Sequence, residues 1–168
     1  MSRAFVKESD DDLAAGELPE RPVPAHANYV TPQGLEQLRA RVRELAELHE
    51  QLKAVAADDS EAKRKLREVE RDQRYFVAQL ERAEPVDPAQ HPRGEVRFGA
   101  TVKVEDAAGR VETFSIVGDD EADVAAGRIS WASPLARSLL GARVGDTVKW
   151  RRPAGETELE IVAIDYPQ

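Results

Sequence analysis

The sequence contains no cysteine. This excludes disulfides, thiol nucleophiles, Cys-ligated zinc and iron–sulfur clusters, and with them the zinc-finger class of hairpin regulators. No apolar run approaches the ~20 residues that span a bilayer, and residues 1–30 hold no signal-peptide core, so the expectation is a cytoplasmic protein with no membrane partner. No G-x-x-x-x-G-K-[ST] phosphate loop occurs, which removes a helicase reading of the acidic string Asp119-Asp120-Glu121-Ala122-Asp123. Positive charge is in short supply: 24 Lys and Arg face 32 Asp and Glu, for a net charge of −8. The deficit is −3 over residues 1–30 (three basic, six acidic), −1 over 31–84 (11 and 12) and −4 over 85–168 (10 and 14). Such a chain does not coat nucleic acid, and any basic surface must be local.

What is present is a heptad pattern interrupted once. Leu35, Leu38, Val42, Leu45, His49, Leu52 and Ala56 recur in steps of three and four. After Asp58-Asp59-Ser60-Glu61 the same alternation runs through Ala62, Leu66, Val69, Gln73, Phe76, Leu80 and Ala83. A 3.5-residue repeat marks a coiled-coil seam. Folding the arms back antiparallel pairs Leu52 with Leu66, His49 with Val69, Leu45 with Gln73, Val42 with Phe76 and Leu38 with Leu80, with the turn at Asp59. Thr31-Pro32 supplies a hydroxyl N-cap with proline at the first helical position, and Gly34 weakens that start slightly.

The remainder divides by composition. Residues 1–28, with Asp10-Asp11-Asp12 and several prolines, are expected to form an extended or disordered leader, in which Phe5 and Val6 are candidate docking residues. Residues 29–84 form the hairpin, with its tip at 58–61, and the proline-rich stretch 85–95 is a linker. From Val96 to the end the period falls to two, over Val96–Phe98, Val102–Val104, Val111–Val117, Thr147–Trp150 and Glu158–Tyr166. Turn signals stand at Ala108-Gly109 and Ala154-Gly155. Ser133-Pro134 opens a short helix that Gly141 closes. The fold class is α+β: a coiled-coil hairpin followed by a small domain of antiparallel strands and one helix.

Several residues have both a chemical and a structural reading. Asp58 and Glu61 are spaced for an N-cap and N3 pair, which accounts for them without chemistry. Lys63, Arg67, Arg71 and Arg74 share one face of the return arm, beside Arg64 and Lys65. They suit RNA phosphates, or equally a solvated face paired with Glu68, Glu70 and Asp72. His49 reads as a register device at the seam, while His26 and His91 lack metal-ligand spacing. Phe98, Phe114, Trp131 and Trp150 read as core.

The segments Val96–Val102, Ile116–Asp123, Gly127–Ser130, Ser133–Arg137 and Val144-Gly145-Asp146, in order and spacing, resemble the C-terminal domain of the bacterial Gre transcript-cleavage factors. Thr31–Leu35 and Lys63–Val69 extend the resemblance to about residues 29–168. It implies an FKBP-like C-terminal domain that docks on RNA polymerase at the secondary channel through the Asp119–Asp123 loop and Ser133-Pro134. It further implies a coiled coil inserted towards the active centre, where it meets nascent RNA. Asp58 and Glu61, with Asp59 beside them, would lend carboxylates to the second Mg²⁺ of the polymerase, so that the polymerase cleaves the 3′ end of backtracked RNA. The factor would then be an accessory protein, without a cofactor of its own, and a monomer. This sequence departs from the family at the tip. Ala57 and Ala62 replace a Gly and an Asn, the aromatic that follows is absent, and both arms are shorter. A non-catalytic regulator of the same channel is therefore a second reading. A prolyl isomerase, the third, would need more convergent aromatics than this domain has.

Overall fold

A computed structural model describes residues 18–168. The part of the leader up to residue 17, including Phe5, Val6 and Asp10–Asp12, lies outside the described residues.

Helix α1 (Pro32–Val55) starts as its sequence predicts, with Thr31 Oγ1 accepting the Gly34 N–H at 3.0 Å. Helix α2 (Ser60–Glu81) returns antiparallel to it: Gln73 donates to the Leu45 carbonyl at 3.4 Å, and His49 Nε2 lies 3.3 Å from Glu70 Oε1. The Leu45–Gln73 contact is the pairing the heptad arithmetic predicts. Leu38, Leu45, Ala62 and Val69 are buried along the seam, while most residues between the seam positions of α1 are exposed. At about 1.5 Å per residue, the arms of 24 and 22 residues reach roughly 36 and 33 Å.

At the root of the helices two short strands, β1 (Asn28–Val30) and β2 (Ala83–Pro85), pair in parallel. The pairing straddles the expected boundaries: Asn28, the last residue of the expected leader, lies opposite Ala83, and Pro85, the first of the expected linker, lies opposite Val30. Asn28 is buried, and its Nδ2 donates to the Gln79 carbonyl at 2.8 Å. Proline at the end of β2 costs little here, because a two-stranded ladder leaves an outer side that needs no donor.

The remaining strands are β3 (Thr101–Asp106), β4 (Val111–Val117), β5 (Arg128–Ser130), β6 (Thr147–Arg152) and β7 (Gly155–Asp165). They form one sheet in the order β5-β4-β3-β7-β6, antiparallel except that β4 and β5 run parallel. Val102, Val104, Ile116, Leu159 and Ile161 project from it into a core closed by helix α3 (Pro134–Leu139) through Leu135, Ala136 and Leu139. Burying each large aliphatic side chain contributes about 1.5–3 kcal/mol. The register between β3 and β7 slips at Lys103/Val104, which skips Val162 and leaves it exposed.

Two readings of this half are corrected. Val96–Phe98 is not a strand: the buried Val96 exchanges backbone bonds with Ala142 and Gly141, and the chain then turns at Gly99 with φ +84°. A side chain at residue 99 would also collide with Pro88, since its Cβ would stand 2.3 Å from Pro88 Cγ. The strands are not all antiparallel either. The crossover over Asp119–Gly127 returns β5 alongside β4, and no periodicity in a three-residue strand announces that.

Candidate functional site

The tip is built by the end of one helix and the start of the next. The α1 C-cap is Ala56, and the Asp58 N–H reaches the Val55 carbonyl at 3.3 Å. The N-cap of α2 is Asp59, in an extended conformation, whose Oδ1 accepts from the N–H groups of Glu61 at 2.9 Å and Ala62 at 3.1 Å. The capping arrangement that the sequence offered for Asp58 and Glu61 is therefore displaced by one residue. Asp59 performs it, and Ala62 stands at N3. Asp58 and Glu61 are exposed, and their carboxylates have no hydrogen-bond or ion-pair partner among the described residues. Two carboxylates are thus exposed where two helices meet, with the third one between them occupied by the backbone. As oxygen donors they suit Mg²⁺, although two are fewer than an ion needs without further ligands or waters. No group of three metal-binding side chains occurs among the described residues.

The basic face of α2 is divided. Lys63, Arg64 and Arg67 are exposed and make no ion pair among the described residues. Lys65 pairs with Glu68 at 3.5 Å, and Arg71 with Asp72 at 3.1 Å. Arg74 is held by Glu20, with Nη2 2.5 Å from Oε1 and Nε 3.0 Å from Oε2. That hydrogen-bonded contact lowers the pKa of the Glu20 carboxyl and raises that of Arg74. The end of the stripe towards the tip is open, and the end towards the root is neutralised.

At the root, the acidic loop folds onto its own chain. Asp119 accepts from Ser130 Oγ at 2.5 Å and lies 2.5 Å from His26 Nε2. Asp120 accepts from the Tyr75 hydroxyl at 2.8 Å and from Gln79 Nε2 at 2.9 Å. Glu121 accepts from the backbone N–H of Thr31 at 3.1 Å, from the Thr31 hydroxyl, and from the Gly118 N–H at 3.0 Å. Burial together with the hydrogen bond to the Asp120 carboxylate pushes the Tyr75 hydroxyl up to about 12. Of the four carboxylates in this run only that of Asp123 belongs to an exposed residue, and it caps the turn Val124–Ala126 by accepting from the Ala125 N–H at 3.1 Å. Ser133 caps α3 by accepting from the Ala136 N–H at 3.2 Å, and Pro134 is exposed beside it.

Sequence reasoning missed Tyr75, Gln79 and His26 as partners of that loop. Tyr75 and Gln79 stand four apart and off the seam, so a second apolar–polar face on α2 is the signal that was there to find.

The arrangement defines a class: an α+β protein that carries free carboxylates at the end of a two-helix stalk braced onto a sheet domain. A family model described as transcription elongation factor, GreA/GreB, C-terminal, matches residues 90–166. The chain is 40% identical over 153 residues to transcription elongation factor GreB of Neisseria meningitidis serogroup A, a match covering 83% of this chain and 94% of that protein. It is 36% identical over 152 residues to transcription elongation factor GreA of Methylococcus capsulatus, covering 82% and 96%. Among solved structures, GreA factor homolog 1 (Gfh1) of Thermus thermophilus is 28% identical with a TM-score of 0.40, over 83% of this chain and 99% of that one. The chain belongs to the GreA/GreB transcription elongation factor family.

Proposed function

We propose that the protein binds RNA polymerase at the secondary channel and stimulates cleavage of the 3′ end of backtracked RNA by presenting Asp58 and Glu61 to the second Mg²⁺ of the polymerase. The observation that carries this reading is that both carboxylates are exposed and unpartnered while Asp59 caps the helix beneath them. In two-metal cleavage the second ion activates the attacking water. Asp58 and Glu61 would supply oxygen ligands to it, and the polymerase supplies the rest, so the factor is accessory and not itself the enzyme. The helices act as a coiled-coil stalk, and Asp59 fixes the geometry of the first turn, from which Glu61 projects. Lys63, Arg64 and Arg67, with Arg71 and Arg74 behind them, face nascent RNA in the channel. The C-terminal domain, FKBP-like in this reading, docks on the polymerase through the face bearing Asp123, Ser133 and Pro134, next to Asp119, Asp120 and Glu121.

Purified polymerase halted in a backtracked complex tests the reading directly. Adding the protein is expected to accelerate release of 3′ RNA fragments, and the protein alone is expected to leave free RNA intact.

A second reading is supported by arms of only about 36 and 33 Å. On it the protein occupies the channel without delivering its carboxylates to the metal. Polymerase binding with no acceleration of cleavage would favour this reading.

A further inference from the structure

Residues Leu18–Ala27 lie against α2 as a strap. Besides the Glu20–Arg74 pair, the Arg21 guanidinium stacks 3.9 Å from the Tyr75 ring centroid and 5.0 Å from that of Phe76, and reaches Asp72 at 3.4 Å. Further on, Arg82 Nη2 donates to the His26 carbonyl at 2.5 Å, and Asn28 anchors to Gln79. Glu20 and Arg21 meet residues 72–76 of α2, whereas His26 and Asn28 meet residues 79–82, so the strap runs in the same sense as α2, with its N-terminal end towards the tip. By sequence the 17 residues before it add five carboxylates and two cations. The two ends of the strap are held differently. The His26 end is fixed by Asp119 and by edge-on packing against Trp131 at 5.3 Å, while the Glu20 contact is exposed on both sides, with side-chain exposures of 61% and 58%.

We propose that the strap is an intramolecular occupant of the basic stripe, in which the Glu20 carboxylate holds the position on Arg74 that an RNA phosphate takes when the stripe engages RNA. The proposal rests on the reading of α2 as the RNA-facing arm. A carboxylate and a phosphate oxygen satisfy the same guanidinium fork, so the two compete for one site and cannot both fill it. The pair is solvent-exposed, which makes it weak and displaceable. The His26 end keeps the strap attached, so displacement is local and reversible. The stripe would therefore have two levels of affinity for RNA. Lys63, Arg64 and Arg67 are always available, and Arg74 joins them when Glu20 leaves.

The test is the anisotropy of a fluorescein-labelled single-stranded oligoribonucleotide titrated with the full chain and with Glu20→Gln, Arg74→Gln and the double variant. Glu20→Gln is expected to tighten binding about two- to fivefold, the amount an exposed ion pair can withhold. It is also expected to steepen the dependence of log Kd on log salt by about 0.7, one single-strand phosphate contact. In the Arg74→Gln background the same change should have no effect on either quantity. If Glu20→Gln changes nothing while Lys63→Gln or Arg67→Gln weakens binding, the stripe holds RNA and the strap does not compete, which overturns the proposal alone. If no substitution on the stripe alters RNA affinity, the RNA-facing reading fails together with it. Since the chain lacks cysteine, Leu18→Cys carrying a spin label provides a second measurement. Its mobility should rise on adding the oligoribonucleotide, and unchanged mobility at saturation contradicts displacement.

Discussion

The start of helix α1 is open to Glu121 because Gly34 has no side chain: a β-carbon there would stand 2.1 Å from Glu121 Cδ. The glycine that weakens the first helical turn makes room for the carboxylate that binds the Thr31 N–H and hydroxyl. It thereby ties the stalk to the sheet domain. This relationship predicts a reversal of sign. In the wild type, Gly34→Ala gains about 1 kcal/mol of helix propensity but expels a charge-assisted contact worth about 1.5–3 kcal/mol, so it should lower stability. In a Glu121→Ala background only the propensity gain is left, and Gly34→Ala should raise stability by about 0.5–1 kcal/mol. Urea unfolding of the four proteins checks it.

Tyr75 and Asp120 form the second tie. Tyr75→Phe leaves Asp120, among the described residues, with its Gln79 contact alone and should cost about 1–3 kcal/mol of stability.

The same pair sets an alkaline limit. Burial, and then the hydrogen bond to Asp120, raise the Tyr75 hydroxyl from its ordinary 10.0 to about 12 in the folded protein. A raised pKa contributes stability that is fully present below the unfolded value and is lost as pH rises through the folded one. Stability should accordingly decline between about pH 10 and pH 12, and Tyr75→Phe should flatten that decline. Tyrosinate absorbance followed alongside unfolding reports both.

At the tip, stability and activity should separate by residue. Asp59→Ala removes the N-cap of α2 and should destabilise by about 0.5–2 kcal/mol. Asp58→Ala removes a carboxylate without a partner among the described residues and should leave the unfolding midpoint within experimental error, whereas Glu61→Ala also removes a first-turn charge favoured by the helix dipole and should cost about 0.3–1 kcal/mol at most. Thermal unfolding of the three variants in parallel distinguishes them.

The helix pair was legible in the sequence because a seam is a periodic feature: Leu45 meets Gln73 as the heptads require, and Thr31 caps α1. The position of the turn was legible as well, but which aspartate caps was not. Asp58 and Asp59 have the same chemistry, and only the extended φ and ψ of Asp59 decide between them. The brace was hidden for a different reason. It joins residues 45 and 90 positions apart, Tyr75 with Asp120 and Thr31 with Glu121, in a region where the sequence shows only prolines and an acidic loop. Composition marks such stretches as linker and surface. Only tertiary contact shows that the loop carboxylates of Asp119, Asp120 and Glu121 face inward.

The proposed role of Asp58 and Glu61 is to act at the end of the stalk, beyond a cap made by Asp59. It is tested most directly by timing RNA 3′-end cleavage in backtracked polymerase complexes saturated with wild type, Asp58→Ala, Glu61→Ala or Asp59→Ala, with polymerase binding measured on the same samples. Asp58→Ala and Glu61→Ala are expected to bind as the wild type does and lose the acceleration, while Asp59→Ala is expected to retain part of it. Undiminished cleavage with both Asp58→Ala and Glu61→Ala would rule out that role for the tip carboxylates.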